Sequence, residues 1–438
     1  GGGTGAAGVV RLSAGQLAAW QARRLTLGAV YQTVDGQDQL AVQATELTLS
    51  NDQDHPLVAP EVLLAANRTL RLQPQAAVVA EAGSAAQTGA EAVALALPAS
   101  GALLRVSTAA AIDLQRSASS TSGNGILDIG AGALVAGSGA VQIDATGSAT
   151  QAGTIRTGAG GAFTAAAPRI SVGDAIPPGV AAASLALDAR ALAGLSNVAQ
   201  LSLDSRQAPL AVHGQAHVGS AATQHLTLRG SGIAAGSPAA QGVFEGNQIQ
   251  LQGGTTGATT GATTGATTGA TAALAAEPGG SLTLQGDTLS LGAGRVGLEG
   301  FAQASLRATS NLRAAGPDGV LSTDGDLLLD SPRITTAPGA SGMFQAAGQM
   351  RLASAASGSG AAPRLAAEQP LHMNAMAFRE QPDADRLGAA FQPPRPHALA
   401  KPAAPLAGTA DMEPDGTVTT MQVPAATQIW VQLGEIGR

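Results

Sequence analysis

Asp188, Arg190, Asp204 and Arg206 repeat an Asp-x-Arg pattern at an interval that one turn of a coiled chain could close. Enzymes that cleave polysaccharides use carboxylate pairs, one as acid and one as base or nucleophile, so these four supply the residue types for that chemistry. A second acidic group is Asp324-Gly325-Asp326-Leu327-Leu328-Leu329-Asp330. Alternation along a strand puts Asp324 and Asp326 on one face, where they could bind calcium or act as a pair. The same Asp-Gly step is also an ordinary turn before a strand at Leu327 to Leu329. His213, His217 and His225 are residue types that ligate metals, but Gly214 and Gly219 oppose a helix that would align them, and no carboxylate lies within the segment. They are expected as exposed turn residues. Gly292-Ala293-Gly294-Arg295-Val296-Gly297 has the dinucleotide-binding glycine spacing, which works only where a helix opens behind it in a βαβ unit. Short strand patterns surround it instead. No nucleophile elbow, zincin histidine pair or phosphate loop occurs. The sequence therefore assigns no catalytic, cofactor-binding or metal-ligating residue, and no cofactor is expected.

The elements around these residues follow a two-residue rhythm. Leu25-Thr26-Leu27, Leu47-Thr48-Leu49, Leu70-Arg71-Leu72, Leu201-Ser202-Leu203, Leu226-Thr227-Leu228, Ile249-Gln250-Leu251 and Leu282-Thr283-Leu284 each place two aliphatics on one strand face and a polar residue on the other. Charged residues are 12% of the chain and aromatics 2%, so the core is expected to be thin and aliphatic. With a formal charge of −7 and no basic run, nucleic-acid binding finds no support. The absence of cysteine excludes disulfides and thiolate chemistry.

The triplets recur with turn formers such as Gly123-Asn124-Gly125 and Gly316-Pro317-Asp318-Gly319 between them. Strands of two to five residues at this spacing predict an all-β fold, a parallel β-helix (solenoid) with roughly 20 to 25 residues per turn. It is expected over residues 1–378, with a flexible loop at 255–270, where Thr-Thr-Gly-Ala is repeated in tandem. A proline-rich linker is expected over 379–415 and a short β segment over 416–438, with strands at Thr417 to Val423 and Gln428 to Leu433. The alanine-rich stretch Val180 to Leu195 reads either as part of the coil or as a short helix. The apolar run Ala92 to Leu104 is too short for a membrane-spanning helix. Gly1 is preceded by no methionine or signal pattern, so a fragment or processed product is expected.

Leu63-Leu64-Ala65-Ala66-Asn67-Arg68-Thr69-Leu70-Arg71-Leu72 with Ala77-Val78-Val79-Ala80-Glu81-Ala82-Gly83, and Gly280-Ser281-Leu282-Thr283-Leu284-Gln285-Gly286-Asp287, resemble the coils of filamentous haemagglutinin-type exoproteins of two-partner secretion. The likeness extends loosely over Gly1 to Phe378. It implies a right-handed coil, export by an outer-membrane transporter, localisation as a secreted or bacterial cell-surface protein, and adhesion to a host-cell or surface glycan or protein receptor. No residue roles are carried over from the family. The reading is thus a non-catalytic adhesin segment, with a polysaccharide-active β-helix lyase or hydrolase as the alternative.

Overall fold

The computed structural model describes residues 12–19, 22–81, 94–97, 100–116, 124–253, 279–354, 364–366, 371–380, 407–408 and 430–431. Strand accounts for 61% and helix for 5%, which establishes an all-β chain. It divides into two compact units, one of residues 1–170 with 177–203, the other of 171–176 with 204–438.

The first unit is built on three ladders. One runs through Glu46–Leu49, Thr69–Leu72, Ile126–Ile129 and Ser148–Gln151; another through Leu57–Ala59, Ala77–Ala80, Leu134–Gly137 and Thr154–Thr157, all parallel. The Leu-x-Leu triplets set this pairing: Leu70 and Leu72 are buried and Arg71 is exposed. Leu47, Leu70, Leu127 and Ala149 stack in register. Burying each leucine contributes about 1.5–3 kcal/mol. The third ladder holds Arg24–Leu27, Glu61–Ala66, Ala102–Ser107, Ala140–Ala145 and Ala162–Ala167, and here Ala102–Ser107 runs antiparallel to both neighbours. Glu61–Ala66, Ala102–Ser107 and Ala140–Ala145 are buried at every residue, which strand alternation alone cannot give. A second sheet explains it: Asp113–Arg116, Ala94–Leu97, Gln37–Val42 and Ala29–Val34, in that order, lie over their outer face. Leu40, Leu95 and Leu97 from this sheet pack on Leu63, Ala65 and Leu103. Its hairpin turns at Asp35 and Gly36 with φ of 51° and 78°, the two-residue geometry that matches strand twist and favours Asp-Gly.

The second unit carries three further parallel ladders. Leu226 faces Ile249, and Ala304 faces Leu327, which faces Met350, each 23 positions on. Gly280–Leu291, Phe301–Ala314 and Gly342–Ala353 are strands of 12, 14 and 12 residues, longer than the two to five expected. Each bends between two ladders without breaking: Leu282 pairs with Ala304 in one and Leu289 with Leu312 in the other, across a register shift between Gly286 and Thr288. One ladder omits a strand. Ile233 faces Leu298 directly, whereas the flanking ladders run Leu226–Ile249–Leu289 and Phe244–Leu284–Leu306. The Thr-Thr-Gly-Ala repeats at 255–270 fall in the interval thus left over, outside the described residues.

The core is less purely aliphatic than composition implies, because Phe163, Phe244, Phe301 and Phe344 are all fully buried. The alanine-rich stretch resolves into helices Pro178–Ala181 and Ala189–Gly194 flanking the strand Leu185–Leu187. Ala94–Leu97 and Ala102–Ser107, within and beyond the apolar run, are strands, and no described helix is long and apolar enough to cross a membrane. Near the C-terminus Leu371–Glu380 is a strand and Ala407–Gly408 pairs with Trp430–Val431; the expected strand at Thr417 to Val423 and most of the proline-rich stretch lie outside the described residues. Phe244→Ala is expected to cost about 3–5 kcal/mol in urea unfolding, and Val243→Ala, on the outward side of the same strand, well under half of that.

Candidate functional site

The residues singled out by type are mostly consumed by local structure. Asp188 caps the helix Ala189–Gly194, its carboxylate accepting the Ala191 N–H at 2.8 Å. Asp204 pairs with Arg206 at 3.5 Å, and this pair belongs to the other compact unit. Asp324 accepts the Gly300 N–H at 3.0 Å, while Asp326 accepts the Gln349 N–H at 2.8 Å. The two carboxylates thus tie opposite neighbouring strands. Sequence inspection misses a companion, Glu299, which precedes the bonded Gly300. Local burial of its carboxyl, and then the Asp324 charge, push its pKa up, although the side chain as a whole reaches solvent. Its signal is legible only once Leu298 is known to face Thr323. In the glycine motif, Arg295–Glu299 is a strand, and Gly297 lies opposite Gly232; no helix follows to meet a phosphate.

His217 and His225 are exposed, as expected, but on strands rather than in turns, whereas His213 departs from expectation. His217 lies on the strand Gln215–Gly219 with its ring 2.9 Å from Glu245, a carboxylate supplied by the next strand rather than by the segment itself. His225 opens the strand His225–Gly230. His213 is not an exposed turn residue: it is 4% exposed, follows the strand Leu210–Val212, and has no protein partner on either ring nitrogen. Its ring lies against Gly236, where even a Cβ would come within 2.3 Å. Among the described residues no group of three or more histidine, aspartate or glutamate side chains could hold a metal.

Among the described residues, the largest constellation of charge lies between the layers of the first unit. Glu61, 4% exposed, receives Arg24 Nε on one carboxylate oxygen and Arg105 Nε on the other, each at 2.5 Å. Arg105, 1% exposed, also donates to Gln142 Oε1 at 2.8 Å and to the Ala110 carbonyl at 3.1 Å. Gln142 completes the set by exchanging hydrogen bonds with the Ile112 main chain. Beside it Arg116 pairs with Asp144 and donates to the Gly101 carbonyl. Arg24 lies over the Tyr31 ring at 5.0 Å, and Tyr31 donates to Asp38. Burial would raise the Glu61 pKa, but the Arg105 charge and hydrogen bonds from both arginines outweigh it and hold the carboxyl below its ordinary 4.5. Both its oxygens are occupied, so the cluster is equipped to lock layers together rather than to move protons.

Above this cluster the outer sheet presents Gln32, Gln39, Ala96 and Gln115 in one cross-strand row. Gly36, Gln37, Asp38, Ala94, Ala96 and Gln115 line a depression of about 240 Å³. Gln115 donates to Asp113 at 2.8 Å. Amides beside a floor of small side chains can hydrogen-bond a neutral, hydroxyl-rich ligand. Compared with family models, curated proteins and solved structures, the chain finds no match.

Two measurements test these sites. Arg105→Met strands the buried Glu61 charge and is expected to destabilise by about 3–5 kcal/mol, while Arg105→Met with Glu61→Leu recovers most of that loss. Because the Glu61 pKa is lowered on folding, its contribution is complete above pH 4.5 and disappears as pH falls through the folded value. For His213, burial depresses the pKa below 6.5. The unfolded chain then protonates first on acidification, so stability falls below that pH. His213→Leu is expected to flatten this part of the thermal-midpoint profile between neutral and mildly acidic pH.

Proposed function

We propose that the chain is a segment of a large, non-catalytic bacterial adhesin, secreted or displayed at the outer-membrane surface, in which a right-handed parallel β-helix forms the shaft. Residues 1–378 make the shaft, 379–415 a proline-rich linker and 416–438 a short terminal β segment. The observation that carries the reading is the recurrent 22–23-residue register in both units, as in Leu47 to Leu70, Leu127 to Ala149, Leu226 to Ile249 and Ala304 to Leu327. A chain repeating at that interval gains stability from nearest neighbours and can lengthen without widening its core. Such a molecule suits reach, and its binding groups belong on segments that leave the ladders. The sheet built from Ala29–Val34, Gln37–Val42, Ala94–Leu97 and Asp113–Arg116 is such a segment, and its depression is the proposed contact for a surface glycan or protein receptor. An outer-membrane transporter is the proposed export partner.

The alternative, a polysaccharide-active β-helix enzyme, draws on Glu299, whose carboxyl is pushed up by local burial and then by the Asp324 charge, as the acid of a carboxylate pair would be. A glycan panel scored both for retention and for chain cleavage separates the two. The adhesin reading expects retention without cleavage, reduced at least tenfold by Gln39→Ala with Gln115→Ala. Depolymerisation abolished by Glu299→Gln would replace it with the enzyme.

A further inference from the structure

Among the described residues only Leu12, Val30 and Val34 are large apolar side chains left exposed, at 46%, 55% and 37%. Two of the three sit on one strand, Ala29–Val34, which is the terminal strand of the outer sheet; no described strand pairs with its free side. The hairpin register determines which groups face that side. Val34 and Gln37 close the two-residue turn and exchange their main-chain hydrogen bonds, so the antiparallel alternation turns Val34, Gln32 and Val30 toward Gln37–Val42. The N–H and C=O groups of Ala29, Tyr31 and Thr33 are directed outward. Edge strands are usually protected by lysine, proline, a bulge or a covering element, and Ala-Val-Tyr-Gln-Thr-Val has none of the first two, no charge, and unbroken pairing to its neighbour.

We propose that this edge pairs antiparallel with the same edge of a second copy of the chain, about a two-fold axis through Gln32. The edge is self-complementary, which favours a second copy as its partner. Along the solvent-facing side the strand reads Val30, Gln32, Val34, the same in both directions, as an isologous contact requires. The axis sets Val30 against Val34 of the second copy and Gln32 against its own equivalent. Tyr31 and Thr33 then exchange main-chain hydrogen bonds with Thr33 and Tyr31 across the axis, in the strand-addition mode. Charge permits the contact as well. Asp38 is engaged by Tyr31 and Thr33 on the inner side of the sheet, and Asp35 lies at the turn, beyond the paired core. The valines meet at a non-hydrogen-bonded pair, where side chains approach most closely. One strand pair buries less than a standard interface, so the association is concentration-dependent, and it places two copies of the depression on one continuous sheet face. The proposal goes beyond the adhesin reading and does not depend on it.

Sedimentation velocity on the full chain across a concentration series is the test. The parent chain is expected to shift from monomer to dimer with concentration, and Val30→Lys with Val34→Lys, which sets like charges across the axis, to remain monomeric. Val30→Lys with Val34→Glu, which sets opposite charges across it, restores the dimer, and added salt weakens it. Both variants alter exposed positions, and an unchanged unfolding midpoint verifies their fold. A parent chain monomeric at every concentration overturns the proposal, and so do two charged variants that associate equally well.

Discussion

Axial register is the constraint on which the other features depend. Each aliphatic must lie beside an aliphatic of the next strand, and because side chains alternate faces, a slip of one residue exchanges the whole buried set for the polar one. Leu70 illustrates the cost: it is paired to Leu47 on one side and Leu127 on the other, so a slip of its strand would bury Arg71 in two interfaces at once. Parallel pairing has no hairpin turn to fix register. The duty falls on the side chains, which is why a chain so poor in charge and aromatics still specifies one arrangement.

The buried charges of the first unit extend the same constraint to a second layer. Leucine and alanine surfaces slide over one another at little cost, whereas Arg105 can move only by abandoning Glu61, Gln142 and the Ala110 carbonyl together. A fully satisfied polar cluster in a low-dielectric setting penalises alternatives more than it adds net stability. Its placement fits that role, since it lies where the antiparallel strand Ala102–Ser107 departs from the parallel pairing of the other ladder strands. Leu104 against Leu64 and Ile143, and Val106 against Val62 and Val141, set its register as in the other ladders, and the charges add a second constraint.

The sequence announces what is local and periodic. The triplets at Leu47–Leu49, Leu70–Leu72, Leu226–Leu228 and Ile249–Leu251 are all strands, with the aliphatics facing inward in the last three. What is distant and aperiodic is not visible in it. Glu61 and Arg105 are 44 positions apart, and nothing near either residue names the other. The outer sheet joins segments from 29–42 and 94–116, and its strand Ala94–Leu97 has the same alternation as any ladder strand. His213 looks like its neighbours His217 and His225 in sequence because what its ring packs against, Gly236 just past the strand Gly232–Ala235, is 23 positions away. Glu299 gains its perturbed carboxyl from local burial and then from Asp324, which lies just past the strand Gly319–Thr323.

The omitted strand between Ile233 and Leu298 has a genetic consequence. Since those two residues pair directly, the number of repeats enters none of the pairings among the described residues on either side. Each repeat is a whole number of codons, so replication slippage that adds or deletes one keeps the reading frame. Adding or deleting a whole repeat leaves the described pairing of Ile233 with Leu298 unchanged, whereas inserting or deleting a single residue inside a ladder strand would displace the register of its neighbours.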